Sequence, residues 1–323
     1  MIDARVIRIH KTGGPEVLAE AHVTLPAPGP GEVLVRNTAI GLNFIDTYRR
    51  SGLYPVELPA TLGTEAAGVI EAVGAGVESI QPGQRIAWMG GGAYASHAII
   101  PAAAAIPLPD FVDDETAASV FLKGLTCWML LFEVHRASPG ETALVWAAAG
   151  GVGSLLVPWA ASLGMDVIGI VSTEGKAAKV RANGASNVLL SNEDIPSRVR
   201  ELTGGRGVDV SYDSVGKASA DASLNSLRPR GLFVTYGNAS GPVDPIPPAK
   251  LAMGGSLVMT RPSLFDFFNT PESRQTGAAA LFGALRTGTI KADIGQRFAL
   301  SDVAEAHRAL EARTTVGATV LLP

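Results

Sequence analysis

Residues 142–164 read TALVWAAAGGVGSLLVPWAASLG. The stretch opens with an apolar run at 143–147, short enough to be a buried strand, and closes in a segment of helical character. Between them lies the turn Ala148-Ala149-Gly150-Gly151-Val152-Gly153. A glycine-rich turn from strand to helix is how an α/β sheet holds a dinucleotide pyrophosphate. Gly150 lets the backbone approach the phosphates, the N–H groups of Ala149, Gly151 and Val152 meet the negative charge, and Gly153 lets the helix pack closely on its strand. Ala148 stands where G-x-G-x-x-G has its first glycine, so the pattern is A-x-G-G-x-G. A second apolar strand at 166–171 follows at the spacing of a βαβ unit, and this context makes dinucleotide binding the expected role. Pro158 falls inside the helix. Its missing N–H would leave the Ser154 carbonyl unpaired and predicts a kink or a water there.

Outward from this stretch, the chain of 323 residues is long enough for two domains. Apolar residues make up 47% and charged residues 17%, a balance that suits substantial cores. A net charge of -4 gives no global basic field, and no basic–aromatic stripe points to nucleic acid. No apolar run reaches membrane-spanning length, and the start MIDARVIRIHKTGG lacks the apolar core of a signal peptide. The single cysteine, Cys127, excludes an intrachain disulfide and a thiolate metal cluster, so a reducing cytoplasm is the expected compartment. In an apolar helix that thiol reads as inert packing.

The first 120 residues read as short strands, at 5–10, 32–39, 66–73 and 84–89, separated by glycine and proline turns. This is an irregular, barrel-like β half. Asp113, Asp114 and Glu115 mark a helix start, and 125–134 reads as a buried helix. Strands at 142–147, 166–171, 187–190, 208–212 and 232–236 then alternate with helices, the pattern of a doubly wound parallel sheet. After about residue 261 the pattern loosens, ending in a helix at 302–312 and a strand at 318–322. A tail of this kind can return to complete the first half.

Seven motifs carry a family resemblance: GLNFIDTYRRSGLYP at 41–55, LGTEAAG at 62–68, FLKGLT at 121–126, AAAGGVG at 147–153, YDSVG at 212–216, YGNASG at 236–241 and TRPSL at 260–264. Together they resemble the zinc-free quinone oxidoreductases of the medium-chain dehydrogenase/reductase superfamily, the zeta-crystallin group, over essentially the whole chain. The resemblance implies a GroES-like β-rich catalytic domain at 1–123 and 265–323 and a Rossmann coenzyme domain at 124–264. It also implies a homodimer joined through coenzyme-domain edge strands, with 257–260 as the candidate edge.

Zinc-dependent relatives carry Cys and His ligands near 41–65, where this chain has Asn43, Asp46 and Gly63-Thr64-Glu65. The sulfur and nitrogen donors that zinc prefers are missing there, so no metal is expected. A nicotinamide must then reduce an acceptor that is already electron-poor, a quinone or an activated enone. Asn43, Asp46, Tyr48 and Tyr54 are the candidate catalytic residues. The resemblance puts their loop beside the nicotinamide in an interdomain cleft, and a polar turn with packed tyrosines is the competing reading.

The strand at 166–171 ends in Ser172-Thr173 without a carboxylate at its tip, and Lys176 follows. That argues for NADP over NAD, with Glu174 expected to point outward. The resemblance adds Ser214, Asn238, Arg261-Pro262-Ser263 and Arg313 as cofactor contacts. Lys123, in an apolar segment, either faces the cofactor or is capped by a carboxylate. Two departures stand out: relatives carry tyrosines where this chain has Ser191 and Trp128. The expected activity is zinc-independent, NADPH-dependent quinone reduction. The alternatives are an enone or alkenal reductase on the same scaffold and a non-catalytic, crystallin-like NADPH binder.

Overall fold

In the computed structural model, which describes residues 1–323, the alternating runs of the first third become strands. They are β1 (Ile2–Ile9), β2 (Ala19–Leu25), β3 (Glu32–Leu42), β4 (Ala60–Thr61), β5 (Glu65–Val73), β6 (Arg85–Met89), β7 (His97–Pro101) and β8 (Ala105–Pro107). A short helix, α1 (Phe44–Ser51), follows β3. β2, β1 and β4 make a small antiparallel sheet, and the remaining strands belong to a larger one. β2, whose Ala19, Ala21, Val23 and Leu25 alternate with polar residues, and the short α1 add to the elements expected from the sequence.

Helix α2 (Asp114–Trp128) begins with two carboxylates, where the positive end of the helix dipole favours them, and continues as a π-helical segment, Met129–Val134. The joined Asp114–Val134 is long and apolar enough to cross a membrane by length and composition, although no uninterrupted apolar run marks it. Its most apolar window is 78% buried within the protein, as a core helix would be.

The alternating part of the chain contains β9 (Thr142–Val145), α3 (Gly153–Ser162), β10 (Asp166–Val171), α4 (Glu174–Ala182), β11 (Asn187–Leu190), α5 (Ile195–Leu202) and β12 (Val208–Asp213). It continues through α6 (Ala220–Ser226), β13 (Leu227–Thr235), α7 (Pro248–Met253), β14 (Val258–Thr260), α8 (Leu264–Phe267) and α9 (Pro271–Arg286). The six strands are parallel in the order β11-β10-β9-β12-β13-β14. β9 and β12 are buried along their whole length, as central strands covered on both faces must be. Pro158 lies inside α3, which continues to Ser162.

The tail supplies β15 (Ile294–Ala299), α10 (Val303–Glu311) and β16 (Ala318–Leu322), which extend the larger sheet to β15-β16-β3-β5-β6-β8, with β7 also on β3. The chain divides into a first unit, Met1–Leu122 with Ala292–Pro323, and a second, Lys123–Lys291. The return expected at 265 therefore falls later, because α9 belongs with the second unit. A Cβ on Gly277 would stand 3.0–3.2 Å from Phe268, Trp128 and Leu125, and one on Gly124 would stand 2.4 Å from Leu281. Such small-residue packing leaves little apolar stripe for sequence reading to detect. Trp128 is a core residue of this contact, edge-on to Phe268 at 6.3 Å.

In the first unit, α1 is held from beneath by a buried polar chain. The carboxylate of Asp46, fully buried, accepts from the Asn43 N–H at 3.0 Å, the Tyr94 hydroxyl at 3.0 Å and the Thr64 hydroxyl. Arg49 donates to the Thr64 oxygen at 3.0 Å. Behind Tyr94 stands His307 of α10, its Nε2 at 3.0 Å from the Tyr94 oxygen and its Nδ1 at 2.9 Å from Arg50 Nη1. A guanidinium only donates, so Nδ1 accepts and the ring proton sits on Nε2, directed at Tyr94. Buried Arg50 ends the chain on exposed Glu311 with two bonds, of 2.6 and 3.1 Å.

Burial lifts Asp46 from 3.8 to about 6, against the opposing pull of its donors and of Arg49. Burial, reinforced by Arg50, drops His307 from 6.5 to about 3. The signs oppose. His307 is neutral when folded, so stability is lost as pH falls from 6.5 towards 3. Asp46 prefers its proton when folded, so stability is gained as pH falls through 6 towards 3.8. At roughly 1.4 kcal/mol per pKa unit, each effect is worth about 2 kcal/mol between pH 6 and 4, and they nearly cancel. Asp46→Asn removes one of the pair. Urea unfolding at pH 6 and 4 should show the variant losing about 2 kcal/mol more than the parent over this interval. A constant gap between the two proteins would mean that Asp46 takes up no proton there.

Candidate active site

In a parallel sheet the carboxyl ends of all strands share one edge, and loops at that edge converge. Residues Ala149–Gly153 follow β9, Ser172 follows β10, Ser214 follows β12, Asn238 follows β13 and Arg261–Ser263 follow β14. Lys176 sits in the first turn of α4. These candidates, far apart in sequence, thus lie along one edge of the second unit, on both sides of the point between β9 and β12 where the strand order reverses. Arg313 belongs to the first unit, exposed just beyond α10 at φ +59°.

The glycine-rich turn hangs from its neighbours: Trp146 N–H donates to the Tyr212 carbonyl at 3.0 Å and Ala148 N–H to that of Ile170 at 2.9 Å. Ala147 takes φ +51°, a conformation that costs a non-glycine residue energy and fixes the sharp exit from β9. The glycines differ in what surrounds them. A Cβ on Gly153 would stand 2.4 Å from the Ala147 oxygen and 2.7 Å from Ala148 Cα, so only glycine fits beneath α3. A Cβ on Gly150 would meet only Ala147, at 3.1 and 3.9 Å, leaving its other side open to a ligand. Under Gly151 runs the stem of buried Lys123, at 3.1–3.2 Å from where a Cβ would be. Cys127 packs beneath the same turn, its thiol 3.6 Å from the Val152 carbonyl, and burial raises its pKa well above the ordinary thiol range.

The loops after β12 and β13 are stitched together. Ala239 N–H donates to the Ser214 carbonyl at 3.2 Å and Ser240 N–H to that of Val215 at 2.8 Å. Arg261 Nη1 donates to the Gly237 carbonyl at 3.1 Å, which ties the end of β14 to the turn carrying Asn238. Sequence reading missed Asp213, the buried organiser of this corner. It accepts from Val215 N–H, Gly216 N–H, Ser219 and Ser223. Its signal was present as an aspartate at a strand end with serines following. At the second strand, Glu174 is exposed and takes a bond from Arg181 at 3.2 Å, while Lys176 is half-buried.

In the first unit, Asn43, Asp46, Tyr48 and Tyr54 come together around α1. Asn43 and Asp46, named as candidate catalytic residues, turn their polar atoms inward. Asn43 Nδ2 is committed to Glu65 Oε1 at 2.8 Å and the Gly41 carbonyl at 3.3 Å, and Asp46 to the buried chain. Glu65 Oε2 accepts the Leu122 N–H at 2.6 Å. Tyr48 is buried, with half-buried Tyr54 edge-on to it at 5.3 Å between ring centroids. Thr64, Tyr94, Arg50, His307 and Glu311 were not foreseen, since their partners lie up to 261 residues apart. No group of three or more His, Cys, Asp and Glu side chains is arranged to hold a metal ion. Asp46 and Glu65 spend their oxygens on N–H and O–H donors instead.

The chain matches two described families, a zinc-binding dehydrogenase over residues 151–282 and an alcohol dehydrogenase GroES-like domain over residues 29–110. The zinc of the first description finds no ligand set in these residues. The quinone oxidoreductase of Pseudomonas aeruginosa is 48% identical over 324 residues, covering 99% of this chain and 100% of that protein. The 2-haloacrylate reductase of a Burkholderia species is 43% identical over 325 residues, 98% of each chain. The crystal structure of Escherichia coli quinone oxidoreductase complexed with NADPH superposes with a TM-score of 0.97 at 44% identity, covering 99% of this chain and 100% of that one. The architecture is accordingly a GroES-like domain with a Rossmann domain. With identity of this extent over the full length, the chain belongs to the quinone oxidoreductases of the medium-chain dehydrogenase/reductase superfamily.

Proposed function

We propose that the protein is an NADPH-dependent quinone oxidoreductase that works without zinc. The observation that carries the reading is the carboxyl edge of the parallel sheet, where Gly150 leaves one side of its turn open to a pyrophosphate. Bound NADPH supplies a hydride, and hydride plus one proton converts a quinone to its hydroquinone. In this reading the amides of Ala149, Gly151, Val152 and Gly153 hold the pyrophosphate, and Ser172 and Lys176 meet the 2′-phosphate. Ser214, Asn238, Arg261, Pro262 and Ser263 hold the ribose and nicotinamide end, and Arg313 adds a contact. The exposed pair Arg181–Glu174 leaves Lys176 as the cation for the phosphate.

The acceptor binds against half-buried Tyr54, whose ring offers a face to a flat quinone, with buried Tyr48 packed edge-on behind it. Asn43 and Asp46 shape the loop instead of donating to the substrate. We assign the acceptor to the unit holding residues 1–122 and 292–323, and the coenzyme to residues 123–291. The protein acts in the cytoplasm as a homodimer, with the exposed edge of β14 as the joining strand. A second reading, reduction of an electron-poor alkene, draws support from the similarity to a 2-haloacrylate reductase.

The deciding experiment is the initial rate of 1,4-benzoquinone reduction by NADPH and by NADH on chelator-treated protein, with a small enone and 2-chloroacrylate as rival acceptors. Fast quinone turnover with NADPH supports the proposal. Turnover of the alkenes alone selects the second reading, and tight NADPH binding without any turnover selects a non-catalytic binder. Two substitutions separate cofactor roles. Lys176→Glu should raise the KM for NADPH at least tenfold and leave that for NADH within about twofold, the loss of one ion pair to the phosphate. Gly150→Val should cut NADPH affinity, measured by fluorescence titration, with little change in melting temperature. Gly153→Val should instead lower the melting temperature or prevent folding, because its Cβ meets backbone on the protein side.

A further inference from the structure

A hydrogen-bonded path runs from the protein surface to the loop that carries Asn43. It begins at exposed Glu311 and passes through Arg50, His307 and Tyr94 to Asp46. Arg50 donates outward to Glu311, and from Arg50 inward every bond runs the same way. Arg50 donates to His307, His307 to Tyr94, and Tyr94 to Asp46. Asp46 Oδ2 then accepts the Asn43 N–H, and Asn43 reaches Glu65. The remaining neighbours of the carboxylate, Thr64 with Arg49 behind it, are donors too. The charged and titratable groups facing Asp46 are Arg49 on its own helix and Tyr94; Tyr94 in turn faces Arg50, Glu65 on β5 and His307 on α10, and Arg50 faces His307 and Glu311.

We propose that Tyr94 and His307 are positioning residues of the reductase, ordering the Asn43 loop and its tyrosines through the carboxylate of Asp46; this rests on reading that loop as the acceptor site. Each donor around the carboxylate favours its ionised form, and together they fix where it holds the loop. Protonating Asp46 removes the negative charge its donors address and uses up acceptor capacity, so the hold on the Asn43 N–H weakens. Burial brings this event to about pH 6. Tyr94 itself stays protonated, its phenol pushed up by burial and by Asp46.

The test is the pH profile of kcat/KM for benzoquinone with saturating NADPH. The parent should show an acid limb near pH 6. Tyr94→Phe removes a donor to the ionised form, so its limb should move up by about one unit; with each rate normalised to its own alkaline plateau, the variant at pH 5.5 should be about eightfold slower than the parent. His307→Leu should move the limb the same way by less, since Tyr94 loses the bond that polarises it, and His307→Gln, which can accept from Arg50 and donate to Tyr94, should restore it. Aspartate carboxyl ¹³C NMR, assigned with Asp46→Asn, reads the same ionisation without turnover. An acid limb and a carboxyl titration unmoved in both Tyr94→Phe and His307→Leu overturn the positioning role. A parent that reduces no quinone at any pH overturns the functional reading, and the NMR titration still decides whether Tyr94 and His307 set Asp46.

Discussion

A carboxylate with no water around it must be surrounded by donors, and in the first unit that need shapes everything near α1. Asp46 draws in a backbone N–H, a threonine and a tyrosine, and the tyrosine in turn needs a partner that can lend it a proton. The partner comes from α10, some 213 residues beyond Tyr94. Arg50 and Glu311 complete the charge balance at the surface. An ion pair with one buried and one exposed member is a weak source of net stability, because the desolvation of Arg50 offsets much of the attraction. What it supplies is a single arrangement of the loop.

The second unit meets a different requirement. A nucleotide's phosphates need donors that are fixed before binding, and a parallel sheet supplies them by ending all strands at one edge. The turn after β9 is cut sharply by Ala147 in a left-handed conformation, and Asp213 fixes the neighbouring corner with four bonds. Both devices spend local strain or buried polarity where a ligand is to be held.

How much of this was legible in the sequence depends on distance along the chain. The βαβ stretch, the alternation of strands and helices and the glycine roles rest on contacts within a few tens of residues, and 142–164 with 166–171 disclosed them. The motif residues from Asn43 to Tyr54 could be named, but the direction of their polar atoms could not. Asn43 and Asp46 turn inward because Glu65, Thr64 and Tyr94 stand there, and no strand or helix period running through the α1 motif says which way its polar side chains point. Helix α9 escaped notice for another reason. It packs through glycine and alanine, so no strong apolar stripe marks it.

The larger sheet of the first unit is completed by β15 and β16, which are synthesised only after the whole of the second unit. On the ribosome, β3 must wait for its neighbour β16, and Tyr94 must wait for His307. The Rossmann unit, contiguous in sequence, can fold while the rest of the chain is still emerging. Translation thus imposes an order in which the nucleotide-holding half is built first and the α1 loop is locked last. Its early strands spend that interval with an open edge that a nascent-chain chaperone would find.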